Sequence, residues 1–173
     1  VTRHVAGTTP YPWPWHGRLD PAALALLVVT CPQAEGQAEP AGLAAAVRAA
    51  GGLVVDVRVR GAGAAPRTRA DLAVTAPGWD GFHGSPLDGL LRARGRDLLL
   101  LAGAHLETGV HSTLRSANDR GYECLLVHDA CAAAEPPLRA GALSTIEMSG
   151  GIFGAVGTSA AVITALSSPG GTP

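Results

Sequence analysis

At 173 residues and a formal net charge of −1, the chain is the size of one α/β domain, and it lacks the basic block that nucleic acid or an anionic membrane surface would select. Hydrophobic residues make up 47% and charged residues only 16%, which excludes a disordered polymer, and no apolar run approaches the roughly 20 residues of a transmembrane helix. Three cysteines (Cys31, Cys124 and Cys131) form no disulfide framework, and Pro and Trp interrupt the N-terminal region where a signal peptide would be continuously apolar; both features fit a reducing cytoplasm. All 13 Lys+Arg residues are arginines, and this Ala-, Gly-, Pro- and Arg-rich composition without lysine fits a GC-rich bacterial genome.

Residues 1–20 read as an arm, with Tyr11 to Trp15 (YPWPW) biased toward extended polyproline geometry. Its two tryptophans either pack on their own domain or reach a neighbouring subunit, where Trp is favoured. Residues 21–166 read as one domain. Leu24–Val29 is a buried strand ending at Thr30 and Cys31; Pro40 to Ala50 is an Ala-rich helix stopped by Gly51 and Gly52; Leu53–Val59 is a second strand. Strand, helix, strand at this spacing is a βαβ unit and implies a parallel sheet. Residues 61–76 are the least structured part, with at most a short strand over Leu72–Thr75. Ser85 and Pro86 open a helix that runs to Gly95. Leu98–Leu101 is a continuous apolar strand ended by Gly103, and Val110, Leu114 and Ala117 then recur at helical spacing up to a C-cap at Gly121. Glu123–Val127 is the next strand, Pro136–Met148 the next helix, Gly151–Phe153 a short last strand and Thr158–Leu166 a closing helix, before a polar tail at 167–173. The glycines at 150, 151, 154 and 157 follow a helix rather than a first strand, so they do not read as a nucleotide loop.

The stretch from Gly103 to Ala134 (GAHLETGVHSTLRSANDRGYECLLVHDACAAA) resembles the isochorismatase-like cysteine hydrolases, close to those acting on biuret, ureidoacrylate or carbamoylated amines. The residues from Gly78 to Asp88 (GWDGFHGSPLD) resemble a second motif of that family, G-W-S-A-F-x-G-T-D-L-D. The resemblance covers roughly residues 8–166. It implies an α/β fold: a three-layer α/β/α sandwich with a mostly parallel, Rossmann-like sheet of five to six strands. It also implies an oligomer, since relatives are commonly oligomeric.

The family reaction uses a cysteine thiolate, an aspartate and a lysine to cleave an amide-like C–N bond, with donors at a helix start stabilising the oxyanion. Carried onto this sequence, the cysteine position of G-V-x-T-x-x-C falls on Gly109. The aspartate position of L-L-V-I-D-M-Q falls on Thr30, and the lysine position falls at about Ala76. No catalytic residue of the triad is intact. Losing the nucleophile of such a unit costs on the order of 10⁶ in kcat. The reading is therefore a catalytically degenerate member, acting as a small-ligand binding module or as a structural subunit. Its partners would be a small carboxylate or ureido ligand and either copies of itself or an intact family member.

The alternative is a C–N hydrolase with relocated groups, in which Cys31 is the rival nucleophile and His105 or His111 supplies a neighbouring cation. The candidate ligand-binding residues are Thr30, Phe82, His83, His105, Glu107 and Gly109. Neither a cofactor nor a metal is expected: the metal-binding Asp/His motif of zinc-dependent relatives belongs in the region that is short here, and scattered histidines do not make a metal site. In relatives a cis peptide lies four to five residues before the cysteine, which maps to Ala104–His105; with the nucleophile gone, relaxation to trans is expected.

Overall fold

The computed structural model describes residues 3–34, 40–62 and 69–168. Strands β1 (Leu24–Thr30), β2 (Leu53–Val59), β3 (Leu72–Ala76), β4 (Leu98–Ala104), β5 (Glu123–Ala132) and β6 (Ala155–Gly157) form one sheet in the order β3-β2-β1-β4-β5-β6. Every neighbouring pair is parallel. The winding reverses between β1 and β4, so the crevice beyond their carboxyl ends is the topological switch point where α/β sheets place their sites.

Helices α1 (Ala41–Ala49), α2 (Leu87–Arg92), α3 (His111–Asp119), α4 (Arg139–Glu147) and α5 (Ser159–Ser167) cover both faces. On one face, Leu24, Leu26, Val28, Leu98 and Leu100 pack against Leu43 and Val47 of α1 and Val162 of α5. On the other, Leu27, Val29, Val57, Leu99 and Leu101 pack under Leu91 of α2, Leu114 and Ala117 of α3 and Ile146 of α4. The result is the three-layer sandwich that the sequence implied. Strand β4 is buried at every position and β1 at all but Thr30, which is why both read as unbroken apolar runs rather than alternating ones. Each buried Leu or Val removes enough apolar area from water to contribute about 1.5–3 kcal/mol.

Several boundaries move. The last strand is Ala155–Gly157, not Gly151–Phe153. Gly150, Gly151 and Gly154 all have positive φ, so the segment turns there and leaves Ile152 exposed. β4 runs through Gly103 to Ala104, and β5 continues past Val127 through Cys131, with a bulge where its pairing to β4 shifts between Leu101 and Gly103. The helix expected to open at Pro136 begins as a 3₁₀ turn (Pro136–Leu138) and becomes α-helical at Arg139. Residues 63–68 of the irregular stretch and 169–173 of the tail lie outside the described residues.

The arm folds on itself through single bridges from Arg3 to Arg18 and from Val5 to Trp13, and one from Thr9 to Val156 pins it to the domain. Trp13 is fully buried among Val5, Leu19 and the α1–α5 layer, whereas Trp15 is 73% exposed. Trp13 thus follows the first of the two readings, packing on its own domain, and Trp15 stands at the surface. Among the described residues, no helix is long and apolar enough to cross a membrane.

Candidate functional site

Strand β4 delivers the chain to the switch point through two unusual backbone positions. Gly103 has φ +119°, and any side chain there would run into the backbone of Val29 on β1. The next peptide, Ala104–His105, is cis, the form that the resemblance maps to this bond. Residues Leu106–Val110 then form a π turn that leads directly into α3. Within it, the amides of Thr108 and Val110 both donate to the His105 carbonyl, each at 3.2 Å.

Gly109 sits in this turn, buried. A Cβ built there would meet Val59 Cγ2 at 3.1 Å, Val29 Cγ1 at 3.3 Å and the Trp79 carbonyl at 3.9 Å. Val59 is the sheet partner of Ala76, and Val29 immediately precedes Thr30. The three positions singled out by the sequence resemblance therefore lie at one sheet edge, where methyl groups of Val59 and Val29 crowd the Cβ position of residue 109. Ala76 is fully buried at the end of β3. Thr30 continues the row of Leu24, Leu26 and Val28, which belong to the α1–α5 layer, whereas Val29 and Cys31 belong to the layer that holds Gly109.

Cys31 is thus the chemical group that β1 contributes beside the turn. Its Sγ lies 3.4 Å from His105 Nδ1. Burial pushes its thiol up from the ordinary cysteine value, hydrogen bonds at His105 and at its own backbone pull the other way, and the Glu107 charge adds to the rise. The thiol is held protonated at neutral pH, which opposes its use as a nucleophile. The other two thiols are also pushed up by burial, Cys131 to about 12, and lie within the core.

Glu107 faces away from the vacated position. Its Oε1 accepts from the Glu135 amide at 2.8 Å. Burial acts to raise its carboxyl, but the backbone amides of Glu135, Glu107 and Ala134 outweigh this and hold it below the usual glutamate range. The carboxylate is thus tied chiefly to the segment after β5 and not to the Thr108 and Val110 amides of the turn. On the next turn, His111 Nδ1 accepts from Arg115 Nε at 3.1 Å, and burial followed by the Arg115 charge lowers the His111 pKa.

Of the sequence-derived candidates, His105, Glu107 and Gly109 share one turn, whereas the Thr30 side chain falls in the row of the opposite layer. Phe82 is buried against Tyr122, with ring centroids 5.6 Å apart, and under the Arg120 guanidinium, while His83 is exposed. Phe82 belongs to the same apolar cluster as Leu106 and Val110 of the turn and contributes packing there. The Gly78–Asp88 motif also braces α3: the Gly81 amide donates to Thr113 Oγ1 at 3.0 Å, and Ser116 Oγ donates to Asp80 at 2.8 Å. Among the described residues, no group of three or more His, Cys, Asp or Glu could hold a metal ion. The sequence reading missed the two valines that fill the Gly109 site; Val59 had no signal beyond its place at the end of an apolar strand.

Residues 60–161, more than half of the chain, match the isochorismatase domain. The chain belongs to the isochorismatase family. Over 99 residues it is 41% identical to the ureidoacrylate amidohydrolase RutB of Methylorubrum extorquens, covering 57% of this chain and 39% of that protein. Over 67 residues it is 37% identical to the uncharacterized isochorismatase family protein YecD of Escherichia coli O157:H7, covering 39% of this chain and 36% of that one. The chain thus spans about two-fifths of the length of the curated relatives it matches. The fold superposes on a cysteine hydrolase from Pseudomonas syringae pv. phaseolicola with a TM-score of 0.70 at 22% identity, covering 87% of this chain and 95% of that one. An isochorismatase family protein from Burkholderia thailandensis gives a TM-score of 0.69 at 25% identity, over 84% and 96% of the two chains. Both structures share the overall fold of this chain.

Proposed function

We propose that this chain is a member of the isochorismatase family that does not carry out covalent C–N hydrolysis and that acts as a binding or structural subunit of an assembly. One observation carries the reading: the side-chain direction at Gly109 is taken up by Val59 and Val29. The position carries no thiol, and a side chain there would have to push the two valine methyl groups back by a few tenths of an ångström. A hydrolase of this type needs a nucleophile, a group to take up its proton and a cation beside both; Gly109, Thr30 and Ala76 supply none of them, and the chain has no lysine. The exposed apolar side chains of Trp15, Leu138, Met148 and Ile152 support a role in assembly, either with further copies or with an intact family member.

The test is the triple replacement Thr30→Asp, Ala76→Lys and Gly109→Cys, alone and with Val59→Ala to reopen the space. No variant short of the quadruple should hydrolyse ureidoacrylate or biuret. Turnover by the protein without these changes would sink the reading.

A second reading rests on the contact between Cys31 Sγ and His105 Nδ1. A thiol against an imidazole is a nucleophile–base arrangement, and it would cleave the same C–N bonds from β1 rather than from α3. Burial of the thiol opposes it, and the replacement Cys31→Ala separates the two readings.

A further inference from the structure

Between the π turn with α3 on one side and the Pro136–Leu138 turn with α4 on the other lies a groove of about 490 Å³. That volume is in the range of small-molecule sites. Its walls include Glu107, His111 and Arg115 from the first side, and Pro137, Leu138, Ala142 and Thr145 from the second. The groove is separate from the Gly109 direction, which points toward β1 and β2.

Two polar atoms of its lining residues are unusual. Glu107 Oε2 and His111 Nε2 are both buried and find no hydrogen-bond partner within the protein. Leaving such a group unpaired costs about 1–3 kcal/mol, more when it is charged, and folded proteins rarely do so. The two residues lie one turn apart, which places their side chains next to each other on one face.

Their chemistry is complementary rather than alike. Glu107 Oε1 is occupied by the Glu135 amide, so Oε2 is the free acceptor of a carboxylate. Arg115 Nε–H donates to His111 Nδ1, so Nδ1 carries no proton of its own and the neutral ring bears its proton on Nε2. Nε2–H is therefore a free donor. A second carboxylate would be repelled by Glu107, and a cation would meet the Arg115 guanidinium. Pro137, Leu138 and Ala142 supply an apolar wall beside the polar pair.

The α4 wall of the groove is lightly packed: Ile146 is the one buried residue of the nine in α4, and Leu138 is 53% exposed. A ligand that reaches the two buried atoms has to displace side chains of the groove wall.

We propose that the α3–α4 groove binds a small neutral amide, a primary carboxamide or a lactam bearing an apolar substituent, whose N–H donates to Glu107 Oε2 and whose carbonyl accepts from His111 Nε2. The site needs no reaction at Gly109 or Cys31, so it goes beyond the reading above and stands or falls separately from it.

Calorimetric titration with benzamide and with benzoate tests this, using the wild-type chain, Glu107→Gln and Ala142→Trp, each checked for a native thermal transition. Wild type should bind benzamide saturably and in preference to benzoate. Glu107→Gln keeps an acceptor for the Glu135 amide but places an NH₂ where Oε2 was; benzamide should weaken about tenfold, the loss of one good hydrogen bond to a charged group, while benzoate gains. Ala142→Trp fills the groove from α4 and should abolish binding of benzamide. The proposal is overturned if wild type shows no saturable benzamide binding, if Ala142→Trp binds as wild type does, or if Glu107→Gln leaves the preference for amide over carboxylate unchanged.

Discussion

Placing a cysteine at position 109 tests directly whether that site has room for a nucleophile, and it should fail for a reason of packing before any question of chemistry arises. A Cβ at Gly109 stands 3.1 Å from Val59 Cγ2 and 3.3 Å from Val29 Cγ1, closer than ordinary van der Waals contact, so the valines must give way before any rotamer of the new side chain is accommodated. Both valines are β-branched residues at strand ends and yield little at χ1. Overpacking of this kind costs about 1–3 kcal/mol. For a chain of this size each kcal/mol lowers Tm by about 2–4 °C, so Gly109→Cys should melt about 2–12 °C below wild type. Urea unfolding measures the loss directly, as a lower midpoint with an unchanged m-value. In a Val59→Ala background the same replacement should cost less, with a favourable coupling of about 0.5–3 kcal/mol in the double-mutant cycle. The reasoning is refuted if Gly109→Cys is as stable as wild type and its new thiol is alkylated quickly at neutral pH, because the position would then be open.

Three further outcomes follow from burial and ionisation. The thiols of Cys31, Cys124 and Cys131 are all raised in the folded chain, so they contribute stability that is complete below the unfolded thiol pKa of about 8.5 and is lost as pH rises above it. Iodoacetamide at pH 7.5 should therefore modify them only after unfolding, and rapid native-state labelling of Cys31 would contradict its placement. The His111 pKa is lowered, so the unfolded chain takes up that proton first and stability should fall as pH drops below about 6.5; His111→Asn, which keeps an acceptor for Arg115, should flatten this part of a denaturation–pH profile, and an unchanged slope would remove His111 as its source. Trp13→Ala should cost about 3–5 kcal/mol because the ring is fully buried, whereas Trp15→Ala should stay within about 0.5 kcal/mol in the monomer and instead weaken self-association by sedimentation; equal effects of the two replacements on stability would contradict the division of the arm.

The fold was legible in the sequence because its signals are local. Unbroken apolar runs at Leu24–Val29 and Leu98–Leu101 report strands buried on both faces, and the Gly/Pro punctuation between them sets the βαβ rhythm. The last strand was misplaced because Ile152 and Phe153 look like strand residues, while the positive φ values of the glycines around them make the segment a turn. The site was legible as a set of positions and not as an environment. Alignment of motifs located Thr30, Ala76 and Gly109 at one edge, but the closing of the Gly109 direction depends on Val59, which lies 50 residues earlier in the chain and carries no motif. The Cys31–His105 contact likewise joins the ends of two strands that are adjacent only once the sheet order is known. His111 was considered in the sequence reading only as a neighbour for a thiol. Its unpaired Nε2 becomes visible when α4 is seen to pass over it.

The most direct test is ammonia release from ureidoacrylate, biuret and nicotinamide by the purified wild-type chain, measured beside Cys31→Ala. With no thiol at position 109 and a protonated, buried thiol at position 31, the two proteins should be indistinguishable from the uncatalysed background for every compound. Saturable turnover by wild type that disappears in Cys31→Ala would contradict the account and establish an active hydrolase with its nucleophile on β1.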